Sequence, residues 1–210
     1  METPYTGLII SRHIEELAKE YAIKCHSETN HFYDGDKPYS YHLKMVVDTA
    51  KAFQELIPES DRLIVFSGCW VHDVGEDCRQ TRNDVKYATN ETVAELCYAL
   101  TNEKGRNRAE RANEKYYKGI RQTKYATFIK LCDRITNVTY SLEKKDTDKS
   151  MLEKYRKENP KFIDELIKPD KYKLYYFFLK LFLGERTYRL SRINRNPYGG
   201  MMGILEAILK

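Results

Sequence analysis

Apolar residues along this chain recur at helical spacing, and the two-residue alternation of strands is absent. Ile14, Leu17, Ala18 and Tyr21 stand at i, i+3, i+4 and i+7, which predicts a helix from about Leu8 to His26. A polar stretch from Ser27 to Pro38 follows, with Asp34-Gly35-Asp36 as its turn signal. A second helix is predicted from Tyr39 to a point before Pro58, and Ser60 is placed to cap a third. The run Leu63 to Val71 in that third helix is apolar nearly all round, which predicts burial. Asn90-Glu91-Thr92-Val93 marks another capped start, running to about Leu100, and Thr101 to Arg108 reads as a polar, basic linker. Phe128, Leu131, Ile135, Val138 and Leu142, spaced 3, 4, 3, 4, predict a long helix beginning at Thr123. Further on, Pro160 and Pro169 are expected to punctuate shorter helices. The tail from Lys171 to Lys210 carries aromatic helices and a Pro197-Tyr198-Gly199-Gly200 turn. No internal repeat or clear boundary appears. The expectation is one all-α domain over residues 1–210, with a core at about 8–168 and a helical extension at about 169–210.

Composition narrows the class. The chain has 210 residues, enough for one sizeable core, with 41% hydrophobic and 32% charged residues as in globular proteins. Its net charge of +5 is diffuse, so no nucleic-acid partner is expected. Cys25, Cys69, Cys78, Cys97 and Cys132 form no C-x-x-C pair and read as reduced thiols of a cytoplasmic protein. No secretion leader is visible, and the longest apolar run, Leu174 to Leu179, is far too short for a membrane span. The aromatic helix around Tyr175 to Phe182 reads as core or as a homo-oligomer contact.

The chemistry concentrates in Val71-His72-Asp73-Val74-Gly75-Glu76-Asp77. A buried helix that ends in a histidine and three acids carries charge that burial penalises, and a divalent cation is the simplest compensation. Adjacent His72 and Asp73 can turn to one ion where helical regularity fails. His42 lies early in the preceding helix, and Asp133 lies mid-helix, on the face opposite Leu131 and Ile135. These four residues read as ligands. Two imidazoles with two carboxylates favour Mn, Fe, Co, Ni or Mg over a thiolate-type zinc site.

Three segments carry a resemblance. Lys37-Pro38-Tyr39-Ser40-Tyr41-His42, His72-Asp73-Val74-Gly75-Glu76-Asp77-Cys78 and Lys130-Leu131-Cys132-Asp133-Arg134-Ile135-Thr136-Asn137 resemble, in this order, the site segments of HD-domain metal-dependent phosphohydrolases. Within that group they are most similar to the hydrolase domain of the RelA/SpoT family and its small stand-alone Mesh-type members. The likeness covers roughly residues 10 to 145, and the Glu76-Asp77 pair is its specific part. It implies an all-α HD bundle, one divalent ion, with Mn²⁺ leading, and hydrolysis of a phosphorylated nucleotide. The leading substrate is (p)ppGpp, losing its 3′-diphosphate as pyrophosphate. Glu76 and Asp77 would share the orientation of water and the movement of protons, in an order the sequence leaves open. Asn137 would reach substrate or groups behind the ligands, while Lys104, Arg108, Arg111 and Lys130 would contact phosphates. Tyr155 would reach the pocket from the next helix.

One departure bears on substrate. Where the family carries an Arg-Lys pair, this chain reads Asn30-His31-Phe32-Tyr33-Asp34. His31 or Phe32 could stack on a base instead. This opens two alternatives with the same site, the 2′-phosphate of NADPH and deoxynucleoside phosphates. A third alternative is a non-catalytic nucleotide sensor.

Overall fold

The computed structural model describes residues 4–143, 150–167 and 198–208. It is all-α apart from one minute hairpin. Two compact units divide the chain, Met1–Thr136 and Asn137–Lys210. Among the described residues no helix is long and apolar enough to cross a membrane.

In the first unit, α1 spans Pro4–Glu28 and buries Ala18, Ala22 and Cys25. It ends where Asn30 adopts a left-handed conformation, φ +51°. The Asn30 amide donates to the Ser27 carbonyl at 3.1 Å and the His31 amide to the His26 carbonyl at 3.0 Å. This paired closure satisfies two terminal carbonyls and is open to asparagine, which tolerates that region better than most residues. It also folds His31 back over His26.

The polar stretch that follows holds β1 (Phe32–Tyr33) and β2 (Lys37–Pro38), antiparallel, with Phe32 opposite Pro38. Asp34 and Gly35, both at positive φ, tighten the turn. Two residues per strand are too few for alternation to show in a sequence.

α2 covers Ser40–Ala52, shorter than expected, because two single-turn 3₁₀ segments, Gln54–Leu56 and Glu59–Asp61, lead into α3 (Arg62–Val71). The capping role expected of Ser60 is not seen. Its hydroxyl donates to Asp61 Oδ1, and Asp61, at the helix start, is itself helical and makes no cap. The Asp61 carboxylate is drawn away to Lys124 and Tyr125.

α3 is the centre of the unit. Val65 to Val71 are all buried, as the apolar run predicts, while Leu63 and Ile64 at its start are only half-buried. The helix packs against α1, α2 and α6 (Glu91–Leu100). Gly68 permits close approach: a Cβ there would stand 2.7 Å from Ile129 Cδ1 and 2.9 Å from Leu96 Cδ1. α4 (Val74–Asp77) follows, then α5 (Arg82–Ala88), started by a Thr81–Asp84 capping box. The Asn90 side chain caps α6 as expected, accepting from the Val93 amide at 2.9 Å.

The expected linker after Leu100 leads into α7 (Arg108–Arg111) and α8 (Glu114–Gln122), capped by Asn107 and Asn113. α8 buries Tyr116, Tyr117 and Ile120. α9 runs Ala126–Glu143, starting three residues after Thr123 because Tyr125 takes φ +69°.

In the second unit, α10 (Ser150–Ile167) contains Pro160 in its interior and is not broken by it. Leu152, Tyr155, Phe162, Ile163 and Leu166 form one buried stripe across the proline. Their burial outweighs the lost amide donor. Of the turn expected at Pro197–Gly200, Pro197 lies outside the described residues, Tyr198 is a turn residue, and Gly199 begins α11 (Gly199–Ile208). Pro169 and the aromatic helix expected around 175–182 lie outside the described residues.

Candidate metal centre

Three elements of the first unit bring the four predicted ligands together. α3 stops at Val71, and His72 (φ −58°, ψ −30°) and Asp73 (φ −103°, ψ −5°) form the joint before α4. In a continuous helix neighbouring side chains point about 100° apart. The loosened joint lets both face one point, with His72 Nε2 2.9 Å from Asp73 Oδ2. α2 contributes His42, whose Nε2 lies 3.6 Å from Asp73 Oδ2 and 3.4 Å from Asp133 Oδ1. α9 contributes Asp133, with Oδ1 3.8 Å from His72 Nε2. One ligand atom each of His42, His72 and Asp133 falls within a 4.8 Å cluster. Asp133 is itself buried, so α9 is enclosed on both faces at this level, not only along its apolar stripe.

Groups behind these atoms fix them. His72 Nδ1 donates to the Cys69 carbonyl at 2.8 Å, which turns Nε2 toward the cluster. Tyr39 donates its hydroxyl proton to Asp73 Oδ2 at 2.5 Å. Lys130 donates to Asp133 Oδ2 at 3.0 Å, leaving Oδ1 toward the histidines. Lys130 is thus committed to a carboxylate of the cluster. The His42 ring stacks on Tyr33, centroids 4.9 Å apart.

Electrostatics give the cluster its character. Burial pulls the His72 imidazole down, but the charge of Asp73 and hydrogen bonds to Asp133 and Asp73 outweigh it and push it up to about 10. His42 is raised in the same way, against burial, by Asp133 and Asp73. Burial works against the charged forms of Asp73 and Asp133, yet their cationic neighbours hold both well below the carboxylate range. Without an ion, two largely buried carboxylates therefore keep protons on two imidazoles. A divalent cation replacing those protons leaves the net charge unchanged and satisfies the same lone pairs. The donor set fits such an ion.

The acidic pair splits into two environments. Asn102 donates to both Glu76 oxygens, at 2.8 and 2.7 Å, and Arg111 Nη1 lies 3.7 Å from Glu76 Oε1. The Asp77 side chain is 28% exposed, and its Oδ2 lies 3.6 Å from His31 Nδ1. Partial burial, then the charges of Asp73 and Glu76, push the Asp77 carboxyl up to about 7. Gly75, within the turn bearing both acids, sits against Thr101, and a Cβ there would collide with its hydroxyl.

The remaining predicted residues are placed variously. His31 stacks on Tyr39, centroids 4.0 Å apart. Lys104 and Arg108 are exposed, while Arg111, one turn on, is the cation that reaches Glu76. Asn137 and Tyr155 belong to the second unit, in α9 and α10. Sequence reasoning did not single out Tyr39, Asn102 or Tyr33 as site residues. Tyr39 sits inside the Pro-Tyr-x-x-His segment and was legible there; Asn102 sits in Leu100-Thr101-Asn102-Glu103-Lys104, a segment that also resembles the Mesh-type members, but no role was given to it. No protein-family model matches this chain, and no curated protein is significantly similar to it.

Proposed function

We propose that this protein is an HD-type, metal-dependent phosphohydrolase acting on a phosphorylated nucleotide. The leading substrate is (p)ppGpp, cleaved to release pyrophosphate from its 3′ position. The observation that carries this reading is the convergence of two imidazole nitrogens and two carboxylates from three elements, with a second carboxylate pair one turn further on. His42, His72, Asp73 and Asp133 would hold the ion, with Mn²⁺ the leading candidate. Such an ion lowers the pKa of water and polarises a phosphoryl oxygen.

The chain's own residues divide the remaining work. Asp77, titrating near neutrality, takes the proton from the attacking water and returns one to the leaving oxygen. Glu76, held through both oxygens by Asn102, orients the water. Lys130 and Tyr39 keep the two ligand carboxylates aimed.

The segment after α1 favours a second substrate class. It offers His31 on Tyr39 and a half-exposed Phe32, with no lysine or arginine from Ser27 to Asp36. An aromatic surface of this kind can stack on a base of NADPH or of a deoxynucleoside phosphate as well as on guanine. Product release with Mn²⁺ across ppGpp, NADPH and a deoxynucleotide set, beside Asp73→Asn, separates these readings. Pyrophosphate from ppGpp, lost in the variant, supports the leading one. Turnover of another nucleotide alone moves the substrate and keeps the mechanism. Nucleotide binding without turnover makes the protein a sensor.

A further inference from the structure

We propose that His26, His31 and Asp77 form a second divalent-cation site, distinct from the His42/His72/Asp73/Asp133 cluster. The argument begins with the end of α1. Its paired closure places the side chain of His31 over that of His26, and the two Nδ1 atoms come to 3.0 Å. Asp77, from the end of α4, brings Oδ2 to 3.6 Å from His31 Nδ1. One ligand atom from each of the three lies within a 4.8 Å cluster. Metal–nitrogen bonds of about 2.0–2.1 Å place two ligands of one ion about 3–3.5 Å apart, which is the spacing found here.

The chemistry of the pair points the same way. Two neutral imidazoles facing each other through Nδ1 share at most one proton, so at least one lone pair is directed into the gap. The carboxylate completes a mixed N/O set at a distance too long for a hydrogen bond. His-x₄-His is a spacing that places two imidazoles on one ion. Tyr39 buttresses both rings, stacking on His26 at 4.3 Å and on His31 at 4.0 Å between centroids. His26 is 1% exposed, whereas the other two are open enough for an ion and water to enter. Two imidazoles and one carboxylate select a borderline ion such as Zn²⁺, Co²⁺ or Fe²⁺, with positions left for water or a phosphate oxygen. The site stands on its own geometry, not on the reaction proposed above. Its occupation draws on Asp77, so an ion there and the proton transfer proposed above compete for one carboxylate.

The test counts ions. Chelator-stripped full-length protein is equilibrated with Zn²⁺ and dialysed, and bound metal is measured for wild type, His31→Gln, Asp77→Asn and Asp133→Asn, each checked for helicity by circular dichroism. Two ions per wild-type chain are expected, falling to one in each variant, with His31→Gln and Asp133→Asn losing different ions. An anomalous-scattering map of a Zn²⁺ crystal should show a peak between His26, His31 and Asp77. One ion per wild-type chain, kept in His31→Gln and lost in Asp133→Asn, overturns the second site and leaves the first. One ion kept in Asp133→Asn and lost in His31→Gln does the reverse.

Discussion

Two histidine–aspartate clusters in one unit hold their protons in opposite ways. His72 and His26 are equally buried, each 1% exposed. His72 faces two carboxylates and is pushed up to about 10, while burial drives His26, whose hydrogen-bonding partner is another imidazole, down to about 4. Burial alone therefore does not set the state of an imidazole. The number of carboxylates sharing its desolvated space does. One cluster stores protons that a divalent ion can displace, and the other presents lone pairs without first releasing any.

The largest way to break this comparison is Asp77→Asn, which removes a ligand of the His26/His31 cluster and the proton carrier beside the other. The variant should lose ~10²–10⁴-fold in kcat with little change in KM, because a proton carrier is removed and the ligands of the first ion are not. Steady-state kinetics on whichever nucleotide turns over checks it.

Next comes pH, measured on chelated protein. His26 is neutral in the fold, whereas its unfolded counterpart titrates near 6.5. Between pH 6.5 and 4 the unfolded chain binds a proton that the folded chain refuses, so stability rises with pH there and is lost on acidification, by roughly 2–3 kcal/mol. His72 has the opposite sign. Its raised value stabilises fully below pH 6.5 and is lost as pH climbs toward 10. Thermal melts should show both flanks, and His26→Gln should flatten the acid one only.

Lys130→Met sharpens the first cluster alone. Removing the ammonium from Asp133 should weaken Mn²⁺ binding about 10–100-fold, read by titration calorimetry. The smallest effect is expected at the frame both clusters share. Gly68→Ala places a methyl group against Ile129 and Leu96, and because the flexible ends of those side chains can give, urea denaturation should show a loss of about 1 kcal/mol.

Much of this was legible in the sequence where periodicity was long or a motif compact. The stripe from Phe128 to Leu142 gave α9, the apolar run gave the buried α3, and His42, His72, Asp73 and Asp133 converge as their pattern implied. Short elements were hidden for physical reasons. α5, α7 and α8 are too brief for periodicity, and the buried face of α8 is mostly tyrosine. Pro160 was misread as a break because a local rule yields to a buried stripe. Lys130 looked like a phosphate contact since charge along a sequence does not reveal its partner; here that partner is Asp133. The His26–His31 contact depends on Asn30 closing α1 in a left-handed turn, which no residue count foretells.

The most direct test of the account is the proton count on Mn²⁺ binding, obtained by calorimetry at pH 7.5 in two buffers of different ionisation enthalpy. Imidazoles held charged by Asp73 and Asp133 must give up their protons to an ion, so roughly one to two protons should leave per Mn²⁺ bound at this cluster, and that proton-releasing binding should be lost in Asp133→Asn. Mn²⁺ binding without proton release, or proton release unchanged in Asp133→Asn, would contradict it.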